Sequence, residues 1–242
     1  MESLRRPADC LTQAIDMLTR ISVLVPTRGR VGRLRTLLES YDRTTIGVED
    51  ASELIFRVDD DDSETQDFLL RTRHRTLIGP RMEGYRSMPQ FFNEMYLASS
   101  GDMLMCGNDD IIFQTTSWAP LLLAAANEYP DKIFNLAVST LNEGHHPFCI
   151  VSREMVRRMG FYWDPRIFWG DIFLRDVAAW FGRLVPVPHV RIDHDWAGLN
   201  PDLTFQETRA SKSRIEGDDR YWSAVHAPAV AEAAERIKEM MA

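Results

Sequence analysis

Two adjacent carboxylates, Asp109 and Asp110, lie between two short apolar runs of this 242-residue chain. The runs, residues 103–106 and 111–113, are typical of buried strands. A carboxylate pair at the end of a buried strand is costly to desolvate unless a cation lies against it. Mg2+ and Mn2+ accept oxygen ligands and keep positions open for substrate phosphates. The segment therefore predicts either a divalent-metal site or a solvated turn.

Two further polar clusters also follow short apolar runs. The turn Pro26-Thr-Arg-Gly-Arg30 follows residues 21–25, and the acidic run Asp59-Asp-Asp-Asp62 follows residues 54–58. Ligands of open α/β sheets bind at the carboxyl ends of the strands. We therefore expect all three clusters to meet at one edge of one sheet, although they are far apart in sequence.

Apolar spacing predicts an α/β fold with a mostly parallel sheet, because strands and helices alternate along the chain. The predicted strands span residues 21–25, 54–58, 76–78, 103–106, 133–138 and 185–192. The predicted helices span residues 8–18, 31–38, 88–98, 118–127, 171–181 and 227–241, with one more beginning at Arg153.

Composition excludes several classes of protein. The net charge of −8 argues against a protein whose whole surface binds nucleic acid. No apolar run approaches the roughly 18 residues of a membrane span, and the N-terminus lacks the apolar stretch of a signal peptide. Cys10, Cys106 and Cys149 form no Cys-x-x-Cys pair, which favours a reduced, cytoplasmic location.

Arginine dominates the basic residues, since only three of the 28 are lysines. Codon bias in a GC-rich genome is the favoured explanation, and bidentate phosphate binding by guanidinium groups is the functional alternative. Five arginines follow the acidic run: Arg71, Arg73, Arg75, Arg81 and Arg86. They predict either a phosphate-facing rim or an ordinary solvated face.

Taken in order, these segments resemble the GT-A nucleotide-sugar glycosyltransferases, especially their family-2-like branch. Residues 21–30 resemble the opening strand and nucleotide-contacting turn of that family, and residues 54–60 resemble its second strand. Asn108-Asp-Asp110 occupies the place of the family's Asp-x-Asp motif. The resemblance covers residues 21–196 and implies a GT-A fold, a Rossmann-like single domain.

The resemblance also implies which residues bind the donor, a nucleotide-diphosphate sugar. Asp109 would contact the ribose and Asp110 the metal, either Mn2+ or Mg2+. His194, which follows a predicted strand, resembles the histidine that completes the metal site, with a structural histidine as the alternative. The nucleotide-sugar-binding residues would be Pro26, Thr27, Arg28, Asp59, Asp60, Arg86, Asn93, Asn108 and Asp109.

Phe168-Trp-Gly-Asp171 resembles the family segment that carries the catalytic base. An acceptor hydroxyl needs a positioned base during attack, and Asp171 is the candidate. A single base opposite the leaving group implies inversion at the anomeric carbon. The alternative is that Asp171 only caps a helix.

Three units follow from the resemblance: a helical extension at 1–20, a GT-A catalytic domain at 21–204, and a flap-like loop with a terminal helix at 205–242. The polar stretch 205–220 would be a mobile flap or a plain surface loop.

Segments 170–176, 191–194 and 218–222 resemble stand-alone glycosyltransferases encoded by bacteriophages. This resemblance implies hydroxymethylated pyrimidines in DNA as acceptors. Trp163, Phe168 and Trp169 would then form a stacking platform for an extruded base, or else belong to the core. A glycan or small metabolite is the alternative acceptor.

Two other classes of function stay open. A nucleotidyltransferase would use a related sheet and paired Asp residues, but it would prefer a glycine-rich, lysine-bearing loop where residues 26–30 offer one glycine and no lysine. A noncatalytic nucleotide- or glycan-binding module of the same fold would tolerate loss of the base.

Overall fold

The computed structural model describes residues 17–82, 84–141, 148–194 and 219–241. Its strands are β1 (Ile21–Thr27), β2 (Ser52–Asp59), β3 (Arg75–Gly79), β4 (Met103–Cys106), β5 (Ile111–Phe113), β6 (Asn135–Ser139), β7 (Ile150–Ser152) and β8 (Leu184–His194). Its helices are α1 (Val31–Thr45), α2 (Ser63–Leu69), α3 (Met88–Ala98), α4 (Trp118–Ala126), α5 (Arg153–Met159), α6 (Gly170–Trp180), α7 (Asp219–Tyr221) and α8 (Ala227–Glu239). A π-helical turn, Trp222–His226, joins the last two.

The strands form one mixed sheet in the order β3-β2-β1-β4-β7-β6-β8-β5. β1, β2, β3 and β4 are mutually parallel, and β6 and β8 are parallel to each other. β7 is antiparallel to both β4 and β6, so β6 and β8 run in the same direction as β1. The predicted mostly parallel α/β sheet is confirmed.

Helices cover both faces of the sheet, as the apolar strands require. Along β1, Val23 and Val25 belong to one core with α1 and α4, whereas Leu24 belongs to a second core with α3, α5, α6 and α8. Successive side chains of a strand point to opposite faces, so a strand buried on both sides reads as a continuous apolar run.

Several boundaries differ from the sequence prediction. β1 continues through Pro26 to Thr27, whereas the sequence predicts that Pro26 ends the strand. β4 pairs with β1 only as far as Leu24, so the last residues of β1 pair in register with β2 alone, and proline is tolerated at such an edge. α1 extends to Thr45, seven residues beyond its predicted end, because Tyr41, Thr44 and Thr45 are also buried.

Some predicted features lie outside the described residues: most of helix 8–18, most of the stretch 205–220, and Cys10. Among the helices that the structure describes, none has the length and apolar content needed to cross a membrane.

Candidate active site at the carboxyl edge of the sheet

The three polar clusters meet at the carboxyl ends of the strands, as predicted. Thr27 ends β1, Asp59 ends β2, and the Asn108-Asp109-Asp110 loop follows β4. His194 ends β8 on the same edge, and its register partner in β5 is Ile111, the residue after Asp110. The sheet topology therefore brings together side chains from four separate parts of the sequence.

Asp109 is buried and held from both sides. Its Oδ2 accepts a hydrogen bond from the Thr27 hydroxyl at 2.9 Å, and its Oδ1 lies 2.9 Å from Nη1 of Arg30. Burial raises the pKa of Asp109, and the nearby charge of Asp110 raises it further, while Arg30 opposes both effects. The carboxylate is thus a preformed acceptor joined to the turn after β1.

Asp110 faces His194, the pair predicted to bind the metal. Nε2 of His194 lies 2.8 Å from Oδ1 of Asp110, and the side chains are 19% and 7% exposed. Oδ1 is buried and has no partner with hydrogen-bond geometry among the described residues. A carboxylate oxygen and an imidazole nitrogen therefore point at the same small volume.

This pair fits a divalent cation that is bound together with its substrate. An oxygen and a nitrogen donor suit manganese as well as magnesium. Within the described ranges, no three His, Cys, Asp or Glu side chains converge as a complete metal cage. Mg2+ is commonly held by one or two carboxylates plus substrate phosphates, so two protein ligands are enough for such a site.

Asp59 lies between two arginines at the end of β2. Its Oδ2 lies 3.1 Å from Nη1 of Arg28, and its Oδ1 lies 3.3 Å from Nη1 of Arg57. Burial raises the pKa of Asp59, against the opposing charges of both arginines. Arg57 is almost fully buried and also binds Glu94 at 2.9 Å, so it fixes the orientation of Asp59.

The rest of the acidic run holds the turn after β1. Asp61 forms a bidentate pair with Arg28, and this hydrogen bonding lowers the pKa of Asp61. Asp62 accepts a hydrogen bond from the Gly29 amide at 2.7 Å, where the positive φ of 63° favours glycine. Asp60 is exposed and accepts a hydrogen bond from the Arg81 amide. The turn after β1 is thus held in place by acidic residues.

Asp171 lies in the first turn of α6 and is not its N-cap, which is Trp169. Its backbone carbonyl accepts a hydrogen bond from Sγ of Cys149 at 2.9 Å, and the Cys149 carbonyl accepts one from the Cys106 amide at the end of β4. Burial, followed by the negative charge of Asp171, raises the pKa of Cys149 to about 12. The start of α6 is therefore fixed beside the strand that leads into Asn108, which is partly buried.

Asn93 holds the loop before α6. Its amide nitrogen donates to the Trp163 carbonyl at 2.8 Å, and its amide oxygen accepts from the backbone N–H groups of Tyr162 and Trp163. These bonds give Asn93 a positioning role, and its predicted donor contact stays a prediction.

The three aromatic residues predicted as a possible platform belong to the core. Trp163, Phe168 and Trp169 are 3%, 7% and 5% exposed. Trp169 stacks on Trp222 with ring centroids 5.2 Å apart, and the Tyr221 hydroxyl accepts a hydrogen bond from the Phe168 amide at 2.7 Å. Tyr221 and Trp222 are partly exposed beside the start of α6.

The arginines after the acidic run are exposed but largely paired. Arg73 binds Asp42, Arg81 binds Asp61, and Arg75 donates to the Ala98 carbonyl. Arg86 is exposed in the short 3-10 helix before α3. This surface is thus a mixed-charge rim.

A cavity of about 480 Å3 lies at the opposite edge of the sheet, beside the amino ends of β1 and β2. Arg20, which precedes β1, and Glu49, which precedes β2, line it. None of the predicted site residues lines it. The chemistry-bearing residues, not this cavity, define the candidate site.

Similar solved structures share this architecture. The mannosyltransferase PcManGT from Pyrobaculum calidifontis, in complex with GDP-Man and Mn2+, has 14% sequence identity and a TM-score of 0.62 over 92% of this chain and 75% of that chain. GalNAc-T7 with UDP, GalNAc and Mn2+ has 13% identity and a TM-score of 0.60 over 92% of this chain and 55% of that chain.

The chain has the GT-A fold.

A third GT-A structure agrees. Glucosyl-3-phosphoglycerate synthase from Mycobacterium tuberculosis, in complex with Mn2+, uridine-diphosphate and glucosyl-3-phosphoglycerate, has 15% identity and a TM-score of 0.58 over 90% of this chain and 88% of that chain. No protein-family model and no curated protein matches the sequence.

Sequence reasoning did not assign roles to Arg57 or Arg33. Arg57 interrupts the apolar strand Leu54-Ile-Phe-Arg-Val58, and a charged residue within a buried strand indicates a buried partner. Arg33 gave no such signal, because an arginine on an amphipathic helix is ordinary. Nη1 of Arg33 lies 3.6 Å from Oδ2 of Asp110, a contact that only the tertiary structure reveals.

Proposed function

We propose that the chain is a metal-dependent, inverting glycosyltransferase that moves a sugar from a nucleotide-diphosphate sugar to an acceptor hydroxyl. The observation that carries this proposal is the meeting of Asp109, Asp110 and His194 at the carboxyl edge of a GT-A sheet. Similar structures contain GDP-Man or UDP together with Mn2+, which supports a donor of this class.

In this proposal the donor nucleotide lies over the ends of β1 and β2. Pro26 and Thr27 contact it from the turn after β1. Asp59 and Asp60 accept hydrogen bonds from N–H groups of the base, and Asp109 accepts one from a ribose hydroxyl. Arg57 supports this arrangement, since it holds the Asp59 carboxylate in place. In this proposal Asn108, which is partly buried, also contacts the donor.

Asp110 and His194 would hold the divalent cation, which when bound stabilises the charge of the departing diphosphate as a Lewis acid. Asp171 takes the proton of the acceptor hydroxyl as its oxygen bonds to the anomeric carbon. The bond from that carbon to the diphosphate oxygen breaks in the same step. One displacement inverts the anomeric configuration.

The acceptor is proposed to approach α6 beside Tyr221 and Trp222. A hydroxymethylated pyrimidine in DNA is the first candidate, and a glycan or small metabolite is the alternative. Burial of Trp163, Phe168 and Trp169 counts against the stacking platform first expected for DNA. In this proposal the base or sugar stacks on Tyr221 and Trp222, which are partly exposed.

Thermal-shift screening with Mn2+ tests the donor. A nucleotide-sugar that binds only the folded state raises the unfolding midpoint. We expect nucleotide-sugars of one base to raise the midpoint more than those of the other bases. A flat response to all UDP- and GDP-sugars would reject the donor class. NMR of the product then checks the anomeric configuration, and retention would reject the single displacement.

A labelled donor offered to hydroxymethylcytosine DNA, unmodified DNA and simple sugars tests the acceptor. Transfer to DNA should fall steeply with salt, because phosphate contacts release counterions. Label found only on simple sugars would remove the DNA acceptor and leave the glycosyltransferase proposal in place. If Asp171→Asn bound its donor and kept its full biological effect, the chain would be a noncatalytic binding module.

A further inference from the structure

Two arginines that follow β1 lie against the two carboxylates that follow β4. Nη1 of Arg30 is 2.9 Å from Oδ1 of Asp109, and Nη1 of Arg33 is 3.6 Å from Oδ2 of Asp110. The arginine side chains are only 14% and 22% exposed. The positive charge facing these carboxylates is therefore supplied by the protein itself.

The same guanidinium groups have the chemistry to bind a diphosphate. Arginine presents a planar fork of N–H donors that matches carboxylate and phosphate equally well. A divalent cation at Asp110 and His194 would compete with Arg33 for the Asp110 carboxylate. It would also weaken the hold of Asp109 on Arg30, because the adjacent positive charge repels the guanidinium.

We propose that Arg30 and Arg33 are the diphosphate-binding residues of this site and that they exchange partners. Without a cation they pair with Asp109 and Asp110, and with a cation at Asp110 and His194 they turn to the diphosphate. This inference rests on the proposed function and names the residues that bind the diphosphate of the donor.

Arg28, one of the two arginines that the family resemblance assigns to the donor, has a different environment. It is held by Asp59 and Asp61, which lie on the β2 side of the turn and are not the predicted cation ligands. The exchange therefore belongs to Arg30 and Arg33 and leaves Arg28 in place.

An exchange of partners couples the binding of the cation to the binding of the diphosphate. If the cation frees the arginines, cation and diphosphate must each tighten the binding of the other by the same factor. Removing a carboxylate without adding a cation should likewise take away the anionic partner for which its arginine and a phosphate compete. Asp109→Asn is thus expected to gain affinity for a diphosphate in metal-free buffer.

Calorimetric titration with inorganic pyrophosphate in metal-free buffer tests this, because pyrophosphate does not depend on the identity of the base or sugar. We expect Asp109→Asn to bind pyrophosphate about tenfold more tightly than the wild type, the effect of about one charge-assisted hydrogen bond. Arg30→Gln should bind more weakly than the wild type.

The double variant separates exchange from the general effect of deleting one negative charge. In the Arg30→Gln background, Asp109→Asn should gain less than about threefold, because the arginine that it would release is gone. The same double-mutant cycle can be measured on the second pair, with Asp110→Asn and Arg33→Gln. It replaces the first cycle if Asp109→Asn fails to fold.

Asp42→Asn is the matched control. Asp42 pairs with Arg73 at 2.8 Å on the exposed surface near the far end of α1, so its loss should leave pyrophosphate affinity unchanged. Free Mn2+ measured by electron paramagnetic resonance gives a second readout: Arg33→Gln should bind Mn2+ more tightly, since the competitor for Asp110 is absent.

Equal gains in both backgrounds, or no gain from either carboxylate variant, would overturn the exchange. That result would leave sugar transfer by the wild type, measured separately, unaffected. Conversely, the expected pattern without any transfer would keep the diphosphate site and reject the glycosyltransferase proposal.

Discussion

Asp171 is the proposed general base, and a hydrogen bond fixes its backbone beside Cys149. The carboxylate is close enough to the buried thiol of Cys149 for its charge to contribute, after burial, to the raised pKa of that thiol. The backbone of the same residue is tied to Cys149 by a hydrogen bond. A base fixed in this way needs little reorganisation when the acceptor arrives.

Asp171→Asn is expected to bind the donor as the wild type does but to transfer sugar about 10²–10⁴-fold more slowly, the usual effect of losing a general base. Rates of transfer and donor affinities of the two proteins check this. Asp176→Asn is the control on the same helix: Asp176 binds His226 at 2.9 Å, so its loss should lower stability more than transfer. Equal transfer rates for Asp171→Asn and the wild type would contradict the assignment.

At the scale of elements, the position of α6 depends on Gly170. A Cβ atom added there would lie 2.1 Å from Cδ2 of Trp163, far inside van der Waals contact. Trp163 has little room to move, since it is buried, stacks on Phe92 and donates its Nε1–H to the Ile167 carbonyl at 2.8 Å. The start of α6, and with it Asp171, rests directly on this indole ring.

Gly170→Ala should therefore lower the free energy of unfolding by about 1–3 kcal/mol, as overpacking does, and should slow transfer by displacing Asp171. Gly32→Ala in α1 is the matched control. A Cβ atom there meets nothing within 4 Å, so this change should be neutral or stabilising by up to about 1 kcal/mol. Thermal unfolding of both variants measures the difference, and equal midpoints would show that α6 does not depend on this contact.

The short helix α5 makes a pH-dependent contribution. Ser152 caps its start, Gly160 ends it with a φ of 90°, and hydrogen bonds from Arg157 lower the pKa of Glu154 to about 2 against the cost of partial burial. A carboxyl whose pKa is lower in the folded state stabilises the fold above its unfolded pKa of about 4.3. That stabilisation is lost as the pH falls towards 2.

Glu154→Gln should accordingly lower the free energy of unfolding near pH 7 by about 1 kcal/mol, a value reduced by solvent screening of these partly exposed groups. The difference from the wild type should shrink between about pH 4.3 and pH 2. Denaturant unfolding at several pH values measures it. A difference that did not change with pH would mean that the ion pairs of Glu154 do not stabilise α5.

The sequence predicted most elements, because apolar runs and their spacing report burial directly. It did not predict α2, where the run Ser63-Glu-Thr-Gln-Asp has few apolar residues, although the Asp62 side chain caps it by accepting the Thr65 amide. It placed the end of α1 too early, since Thr44 and Thr45 are polar but buried. The spacing of apolar residues does not indicate which polar residues the tertiary structure buries.

At the scale of the whole molecule, the sequence indicated which loops meet but not how their charges pair. Parallel topology places Thr27, Asp59 and Asp109 at one edge whatever their side chains do. Pairing of Arg30 with Asp109 and of Arg57 with Asp59 depends on rotamers and distances that the sequence does not encode locally. The fold was therefore predictable, whereas the electrostatic arrangement of the site required the structure.

Release of nucleoside diphosphate tests the central claim most directly. The wild type and Asp110→Asn are incubated with a panel of UDP- and GDP-sugars, with Mn2+ or with a chelator, and the released diphosphate is quantified. We expect the wild type to release diphosphate from donors of one base with Mn2+ and not with the chelator. Asp110→Asn should stay folded and release far less diphosphate. No release from any donor, or equal release by Asp110→Asn and the wild type, would contradict the account.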